Sequence, residues 1–169
     1  LQNHWNKAYI FPQRPADLHS RINIGFRSGN GSQLHNSIAW KIFSQQIHWK
    51  MISVCRATYY GERFIWEQIE SIVCQLNADD EIIVSDDGST DNTLAIVRAI
   101  GDKRIRIIEG PRKHSPTLNF ECALKAAKGD YIFLADQDDV WKPNKVEVCM
   151  KWLQNYYCVV ADAEVTDSA

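Results

Sequence analysis

From Met51 onward, short apolar runs alternate with segments whose apolar residues recur at helical spacing. The short runs are rich in β-branched and aromatic residues and predict buried strands, whereas the periodic segments predict amphipathic helices. The predicted strands cover residues 51–55, 81–85, 104–108, 131–135 and 157–161, and the predicted helices cover 64–76, 93–100, 117–128 and the segment after Pro143. This alternation is typical of a mostly parallel central sheet with helices on both faces, a three-layer α/β/α fold.

Acidic residues follow two of these strands directly. Asp86 is the first residue after the strand at 81–85, and Asp136 and Asp138 come after the strand at 131–135. Because an unpaired carboxylate is very costly to bury, these side chains are expected at open strand ends.

The strand at 51–55 is expected to lie in the centre of the sheet, between the two strands that end in acids. In open α/β sheets, ligands bind beyond the carboxyl ends of the strands, where the strand order reverses. Residues 57–60, Asp86 and the pair Asp136 and Asp138 are therefore expected to converge on one crevice.

The three carboxylates of Asp136, Asp138 and Asp139 form an acidic segment that suits a hard divalent cation. Mg²⁺ and Mn²⁺ prefer oxygen ligands, and Mg²⁺ is usually held by one or two carboxylates together with substrate phosphates. A solvated acidic turn is the plainer interpretation, but the second acidic strand end at Asp86 favours a metal site. The sequence thus predicts Mg²⁺ or Mn²⁺ and a phosphate-bearing ligand.

A calcium-binding EF-hand loop is an alternative, because Asp136, Asp138 and Glu147 fall at its first, third and twelfth positions. That loop needs an oxygen ligand at its fifth position and glycine at its sixth. Val140 and Trp141 occupy those positions, so the sequence does not fit an EF-hand.

The acids that follow the strand at 81–85 are expected to have different roles. Asp91 stands just before the periodic segment 93–100, where an acidic side chain caps a helix or lies in its first turn. Asp86 comes too early in the chain to cap that helix. We expect Asp86 to accept a hydrogen bond from a base or a ribose.

The charge of the chain divides at Met51. Residues 1–50 are basic, with six Lys and Arg and a single Asp, whereas the remainder is acidic. We interpret residues 1–50 as a basic N-terminal extension of uncertain structure that the fold does not require, and residues 51–169 as the domain that carries the crevice. The Lys and Arg of the extension are not clustered, so no nucleic acid partner is expected.

Several other functional classes do not fit the sequence. It contains neither the G-x-G-x-x-G turn of dinucleotide-binding domains nor the G-x-x-x-x-G-K-[ST] phosphate cradle. No apolar run reaches the length of about 18 residues that indicates a transmembrane helix. The five cysteines form no C-x-x-C pair and are typical of a reducing, cytoplasmic compartment rather than of a disulfide framework or a zinc site.

The chain from Met51 to about Asp167 resembles the family 2 glycosyltransferases, which are inverting sugar-nucleotide enzymes of the GT-A fold. The resemblance is carried by residues 52–55, 57–59, 61–65, 84–91, 119, 127–132 and 136–139. The last of these segments, with Val140, Trp141, Pro143 and Lys145, looks most like bacterial enzymes of polysaccharide synthesis, including rhamnosyltransferases.

The resemblance implies roles for individual residues. Thr58 and Tyr59 would line the nucleoside pocket, with Tyr59 as a stacking surface, and Asp86 would accept a hydrogen bond from a pyrimidine base. Asp136 would contact the ribose or the metal, and Asp138 would coordinate the Mg²⁺ or Mn²⁺ that bridges the diphosphate.

The resemblance also places further residues near the donor. Asp87 and Asn119 are expected among the residues that bind the nucleotide sugar, Arg112 is a support near the diphosphate, and Asp139 assists at the metal. Arg56 and Tyr60 depart from the family pattern, which usually has an apolar residue and often Asn at these two positions.

The function implied is transfer of a sugar from a UDP- or dTDP-linked donor to a saccharide or lipid-linked acceptor, in the cytoplasm or at the inner face of the membrane. The catalytic base is expected beyond Ala169, so residues 51–169 look like the donor-binding half of the enzyme. Two alternatives stay open. One is a binding module for sugar nucleotides without transfer activity, and the other is a sugar-phosphate nucleotidylyltransferase, whose glycine-rich basic loop the sequence lacks.

Overall fold

The computed structural model describes residues 8–12, 51–162 and 164. The strands are β1 (Ala8–Pro12), β2 (Ile52–Thr58), β3 (Glu81–Asp86), β4 (Ile105–Glu109), β5 (Tyr131–Ala135) and β6 (Val159–Ala161). The helices are α1 (Ile65–Val73), α2 (Thr93–Ile100), α3 (Pro116–Ala126) and α4 (Lys145–Leu153). No helix within these residues is long and apolar enough to cross a membrane.

The described strands form one sheet in the order β4-β3-β2-β5-β1-β6. β2 pairs in parallel with β3 and with β5, and β3 pairs in parallel with β4. The predicted central position of β2, between the two strands that end in acids, is therefore confirmed. β1 runs antiparallel to both β5 and β6, so the sheet is mostly but not entirely parallel.

Helices cover both faces of the sheet, as the alternating pattern predicts. The larger core joins alternate residues of β2, such as Val54, to the apolar faces of α1, α2 and α4. The smaller core lies on the other face, where Cys55 and Ile83 pack against Ala123 of α3. Side chains alternate between the two faces along a strand, which is why β2 is buried at every position.

β1 is a strand that the sequence analysis does not predict. It belongs to the same compact unit as residues 51–162. Ala8–Pro12 thus contributes a strand to the sheet, and the expectation that the fold does not require residues 1–50 stays a prediction. The rest of that segment lies outside the described residues, and the boundary at Met51 stays a prediction.

A cluster of buried polar groups lies at the amino ends of β2 and β3. Ser53 Oγ donates to Glu81 Oε1 at 2.7 Å and accepts from the backbone N–H of Gly129 at 2.7 Å. The Lys128 N–H and Arg106 also donate to Glu81, at 2.8 and 3.1 Å. Burial favours the neutral form of Glu81, but these hydrogen bonds outweigh it and lower its pKa below the usual value.

We expect Gly129→Ala to lower the free energy of unfolding by about 3 kcal/mol, because overpacking a closed site forces the backbone to shift. A Cβ at this position would lie 2.5 Å from the Ser53 nitrogen and 2.7 Å from the Met51 oxygen, both in the backbone of the β2 segment. Urea unfolding followed by circular dichroism measures the loss.

Gly101→Ala is the matched control for Gly129→Ala. Gly101 ends α2 with φ of +69°, and a Cβ there meets nothing closer than 3.9 Å. Only left-handed backbone strain opposes this substitution, at about 1 kcal/mol. Equal losses for the two variants would contradict the close approach of Gly129 to β2.

Candidate functional site

The parallel pairing brings three strand ends to one edge of the sheet. Thr58 is opposite Asp86 in the β2–β3 pair, and Arg56 is opposite Ala135 in the β2–β5 pair. The acids at the end of β3 and after β5 therefore flank the end of β2 on its two sides. The Tyr59 N–H donates to Gln137 Oε1 at 3.3 Å, which links the β2 end to the segment after β5.

Asp86 organises the turn that follows β3. Its carboxylate accepts from the N–H groups of Gly88 and Ser89 at 3.1 and 2.9 Å and from Ser89 Oγ at 2.6 Å. Only 5% of the residue is exposed. Each carboxylate oxygen has about two acceptor sites, so Oδ1, which accepts the Ser89 hydroxyl, keeps the capacity to accept a donor from a ligand.

Asp87, the residue after Asp86, anchors the loop between β4 and α3. Its two oxygens accept from the N–H groups of Lys113 and Ser115, at 3.1 and 3.2 Å. Its own N–H donates to the Thr58 carbonyl at 3.0 Å. The carboxylate is thus engaged with the backbone of the loop that leads into α3.

Asn119 is buried next to the end of β2 rather than exposed at the site. It is 3% exposed, and its Nδ2 donates to the Thr58 carbonyl at 3.1 Å. The Asn119 Oδ1 and the Thr58 Oγ1 are buried without a hydrogen-bond partner among the described residues. The structure brings Asn119 to the candidate site through the backbone of Thr58.

The acidic loop, residues 136–139, begins immediately after β5. Asp136 and Asp138 are exposed, whereas Asp139 is buried and its Oδ1 has no partner in the part of the chain that the structure describes. Burial raises the pKa of Asp139 to about 6, although the positive charge of Lys145 opposes this. The loop is tightened by the Asp139 N–H, which donates to the Asp136 carbonyl at 3.4 Å.

The acidic loop fits a divalent cation that also binds phosphate. The two exposed carboxylates supply the oxygen ligands that Mg²⁺ and Mn²⁺ prefer, and Asp139 adds an unpartnered buried oxygen nearby. Within the described ranges, no three His, Cys, Asp or Glu side chains form a metal site by themselves. A cation here would need ligands from the substrate, as Mg²⁺ commonly does.

Aromatic rings lie at the mouth of the crevice. Tyr59 is stacked on His114 with ring centroids 4.6 Å apart, and Tyr60 meets Tyr59 edge-on at 4.4 Å. His114 was not among the residues singled out from the sequence, since nothing in the pattern ties its loop to β2. Arg112 is exposed and forms an ion pair with Glu109 at 2.7 Å.

Asp91 stabilises the start of α2 from the position before the N-cap residue, Asn92. Its Oδ1 accepts from the Thr93 N–H and hydroxyl at 3.1 and 2.5 Å, and its Oδ2 accepts from the Glu62 N–H at 3.3 Å. These hydrogen bonds outweigh the effect of burial and lower its pKa.

Arg56 and Gln68 are buried polar residues of the site that the sequence analysis did not assign to it. Both are fully buried, and Arg56 Nε donates to Gln68 Oε1. Burial lowers the pKa of Arg56 to about 10, against the opposing effect of Asp136 and other nearby carboxylates. The available signal was a polar residue, Gln68, on the otherwise apolar face of α1.

We expect Asp87→Ala to loosen the loop at 110–115, because two backbone N–H groups lose their acceptor. Loss of a hydrogen bond of this kind costs about 1 kcal/mol of stability. Limited proteolysis should show faster cleavage within this loop. Asp79→Ala, in the exposed turn before β3, is the control, and a cleavage rate in Asp87→Ala no faster than in the control would contradict the anchoring role.

Comparison with known proteins agrees with this architecture. The chain is 37% identical over 97 residues to WfaP of Escherichia coli, a UDP-Glc:alpha-D-GlcNAc-diphosphoundecaprenol beta-1,3-glucosyltransferase. The aligned region covers 57% of this chain and 39% of WfaP. The chain therefore spans less than half the length of the curated relatives it matches.

Solved structures show the same fold. Residues 1–349 of TarS from S. aureus, in complex with UDP, match with a TM-score of 0.53 and 27% identity, over 62% of this chain and 32% of that one. Glucosyl-3-phosphoglycerate synthase from Mycobacterium tuberculosis, with Mn²⁺, UDP and phosphoglyceric acid, matches with a TM-score of 0.55 and 27% identity, over 63% and 40%. The predicted GT-A fold is confirmed.

The sequence profile described as "Glycosyl transferase family 2" matches residues 53–168, which is most of the chain. The match begins in β2 and includes the turn at Asp86 and the acidic loop. The resemblance inferred from the motifs is thereby confirmed at the level of the family. The likeness to rhamnosyltransferases in particular stays a prediction. The chain belongs to glycosyltransferase family 2.

Proposed function

We propose that the chain binds a nucleoside-diphosphate sugar and a divalent cation, as the donor site of an inverting glycosyltransferase of cell-surface polysaccharide synthesis. The observation that carries the proposal is the convergence of the ends of β2, β3 and β5 on one crevice with two exposed carboxylates. The donor is a UDP- or dTDP-linked sugar, and the acceptor is a saccharide or a lipid-linked saccharide.

The nucleoside is proposed to bind between the ends of β2 and β3. Tyr59 offers an aromatic face, although His114 shares it in the structure. Asp86 accepts an N–H from the base through the free capacity of Oδ1. Thr58 lines the pocket, while Asp87 and Asn119 support its wall through their backbone contacts.

The diphosphate is proposed to bind at the acidic loop. Asp138 and Asp136 hold Mg²⁺ or Mn²⁺, which when bound stabilises the negative charge of the departing nucleoside diphosphate. The two carboxylates place negative charge, which attracts a cation, just after the end of β5, and both are exposed. Asp139, which is buried in the same loop, is proposed to assist at the metal.

The comparisons support this assignment. WfaP is named for UDP-glucose, the TarS structure contains UDP, and glucosyl-3-phosphoglycerate synthase contains UDP together with Mn²⁺. They give no support to the alternatives of a nucleotidylyltransferase or of a binding module without transfer activity. A cytoplasmic location, including the inner face of the membrane, suits a donor made and used as a soluble nucleotide.

The nucleotide class is tested by thermal unfolding of the chain with UDP, dTDP, GDP, UTP and dTTP, each with Mn²⁺ or with EDTA. A ligand at 100 times its dissociation constant stabilises the native state by about 2.7 kcal/mol, which is readily measured. We expect UDP or dTDP to raise the melting temperature only with Mn²⁺. Stabilisation by nucleoside triphosphates alone would favour a nucleotidylyltransferase instead.

The metal ligands are tested by titrating Mn²⁺ in the presence of UDP. We expect Asp138→Ala to weaken Mn²⁺ binding by at least about tenfold, since losing even an indirect partner of a metal typically costs 10–100-fold. Asp139→Ala should have a smaller effect on affinity. Asp91→Ala, which removes the acceptor for the Thr93 N–H and hydroxyl at the start of α2, is the control and should cost about 1 kcal/mol of stability without changing affinity. Equal affinities in all three variants would refute the assignment.

A further inference from the structure

Two fully buried polar side chains lie beneath the acidic loop. Arg56 comes from the central strand β2, and Gln68 comes from the inner face of α1. Arg56 Nε donates to Gln68 Oε1, so the two side chains are hydrogen-bonded to each other. Polar groups removed from water need specific partners, because an unpaired buried donor or acceptor costs stability.

The remaining hydrogen bonds of this pair go to the backbone of the acidic loop. Gln68 Nε2 donates to the carbonyl of Asp136, and Arg56 Nη2 donates to the carbonyl of Gln137 at 3.3 Å. The two carbonyls belong to consecutive peptide units, and each unit is planar. Holding both carbonyls therefore restricts the directions in which the side chains of Asp136 and Asp138 leave the backbone.

We propose that Arg56 and Gln68 are positioning residues that form a loop clamp, which holds the acidic loop in its metal-binding conformation before the nucleotide sugar arrives. The inference rests on the proposed function, since it takes Asp136 and Asp138 as the metal ligands. Residues that orient metal ligands typically change metal affinity by 10–100-fold when they are removed.

The charge of Arg56 acts on the site in the opposite direction. Burial lowers its pKa to about 10, while the carboxylates of Asp136, Asp86 and Asp138 raise it, so the guanidinium is charged at neutral pH. A positive charge beneath the loop repels a cation. On electrostatics alone, removing Arg56 strengthens metal binding, whereas loss of the loop clamp weakens it. The sign of the change separates the two effects.

Arg56→Met in the full 169-residue chain tests the loop clamp. Methionine is a straight apolar side chain that cannot donate, so Gln68 Oε1 and the Gln137 carbonyl lose a donor and the variant is expected to be less stable. We expect hydrogen exchange in the segment 134–140 to quicken about tenfold without ligand, while exchange in α2 stays unchanged. Mn²⁺ binding in the presence of UDP should weaken about tenfold, as expected for a lost orienting partner.

Gln68→Glu is the second variant, for the case in which Arg56→Met does not fold. A glutamate still accepts from Arg56 but, when ionised, cannot donate to the Asp136 carbonyl. It also adds a negative charge, which favours a cation. Faster exchange of the segment 134–140 together with weaker Mn²⁺ binding therefore reports lost positioning.

Arg106→Met is the matched control. Arg106 also donates to a backbone carbonyl, that of Ala126 at 2.6 Å, but at the opposite edge of the sheet. This variant should leave both exchange of the loop and Mn²⁺ affinity unchanged.

Three outcomes overturn the inference in different ways. Unchanged loop exchange in both Arg56→Met and Gln68→Glu overturns the loop clamp while the proposed function stands. Stronger Mn²⁺ binding in both variants shows that charge, not positioning, is the contribution of the pair. Absence of Mn²⁺ binding by the unmodified chain overturns the proposed function and the purpose of the loop clamp with it.

Discussion

The parallel pairing of β2 with both β3 and β5 is the constraint on which the candidate site depends. Parallel neighbours direct their carboxyl ends to the same edge, so residues far apart in the chain meet there. Thr58 stands opposite Asp86, and Arg56 stands opposite Ala135. A shift of one residue in either pair would turn these strand ends to the wrong faces of the sheet.

The fold could be predicted where burial dictates the pattern. The strand Tyr131–Ala135 and the helix Thr93–Ile100 have the predicted bounds, because their apolar residues follow the strand and helix periods closely. β1 could not be predicted, because its place between β5 and β6 depends on pairing with distant strands rather than on local pattern. β6 is shorter than predicted, and Tyr157 before it is exposed.

The candidate site could be predicted as a set of acids but not as a set of contacts. Strand ends identify Asp86 and Asp136, yet only the structure shows which carboxylates are occupied by backbone N–H groups. The donors to Asp87 come from a loop whose position no local pattern reveals. Helical spacing places Gln68 on the inner face of α1, but its partner Arg56 lies on another element and departs from the family pattern. Long-range hydrogen bonds are the part that sequence periodicity does not contain.

The position of β1 has a consequence for the order in which the sheet assembles. β6 is joined to the rest of the sheet only through β1, since the order runs β5-β1-β6 within the described strands. In the parallel part, β2, β3 and β4 can form from consecutive βαβ units with comparatively local contacts, and β5 then pairs with the more distant β2. The β1–β6 pair instead joins the two ends of the compact unit, and closing so long a loop carries an entropic cost. The edge of the sheet beyond β5 should therefore be the last part to form and the first to open.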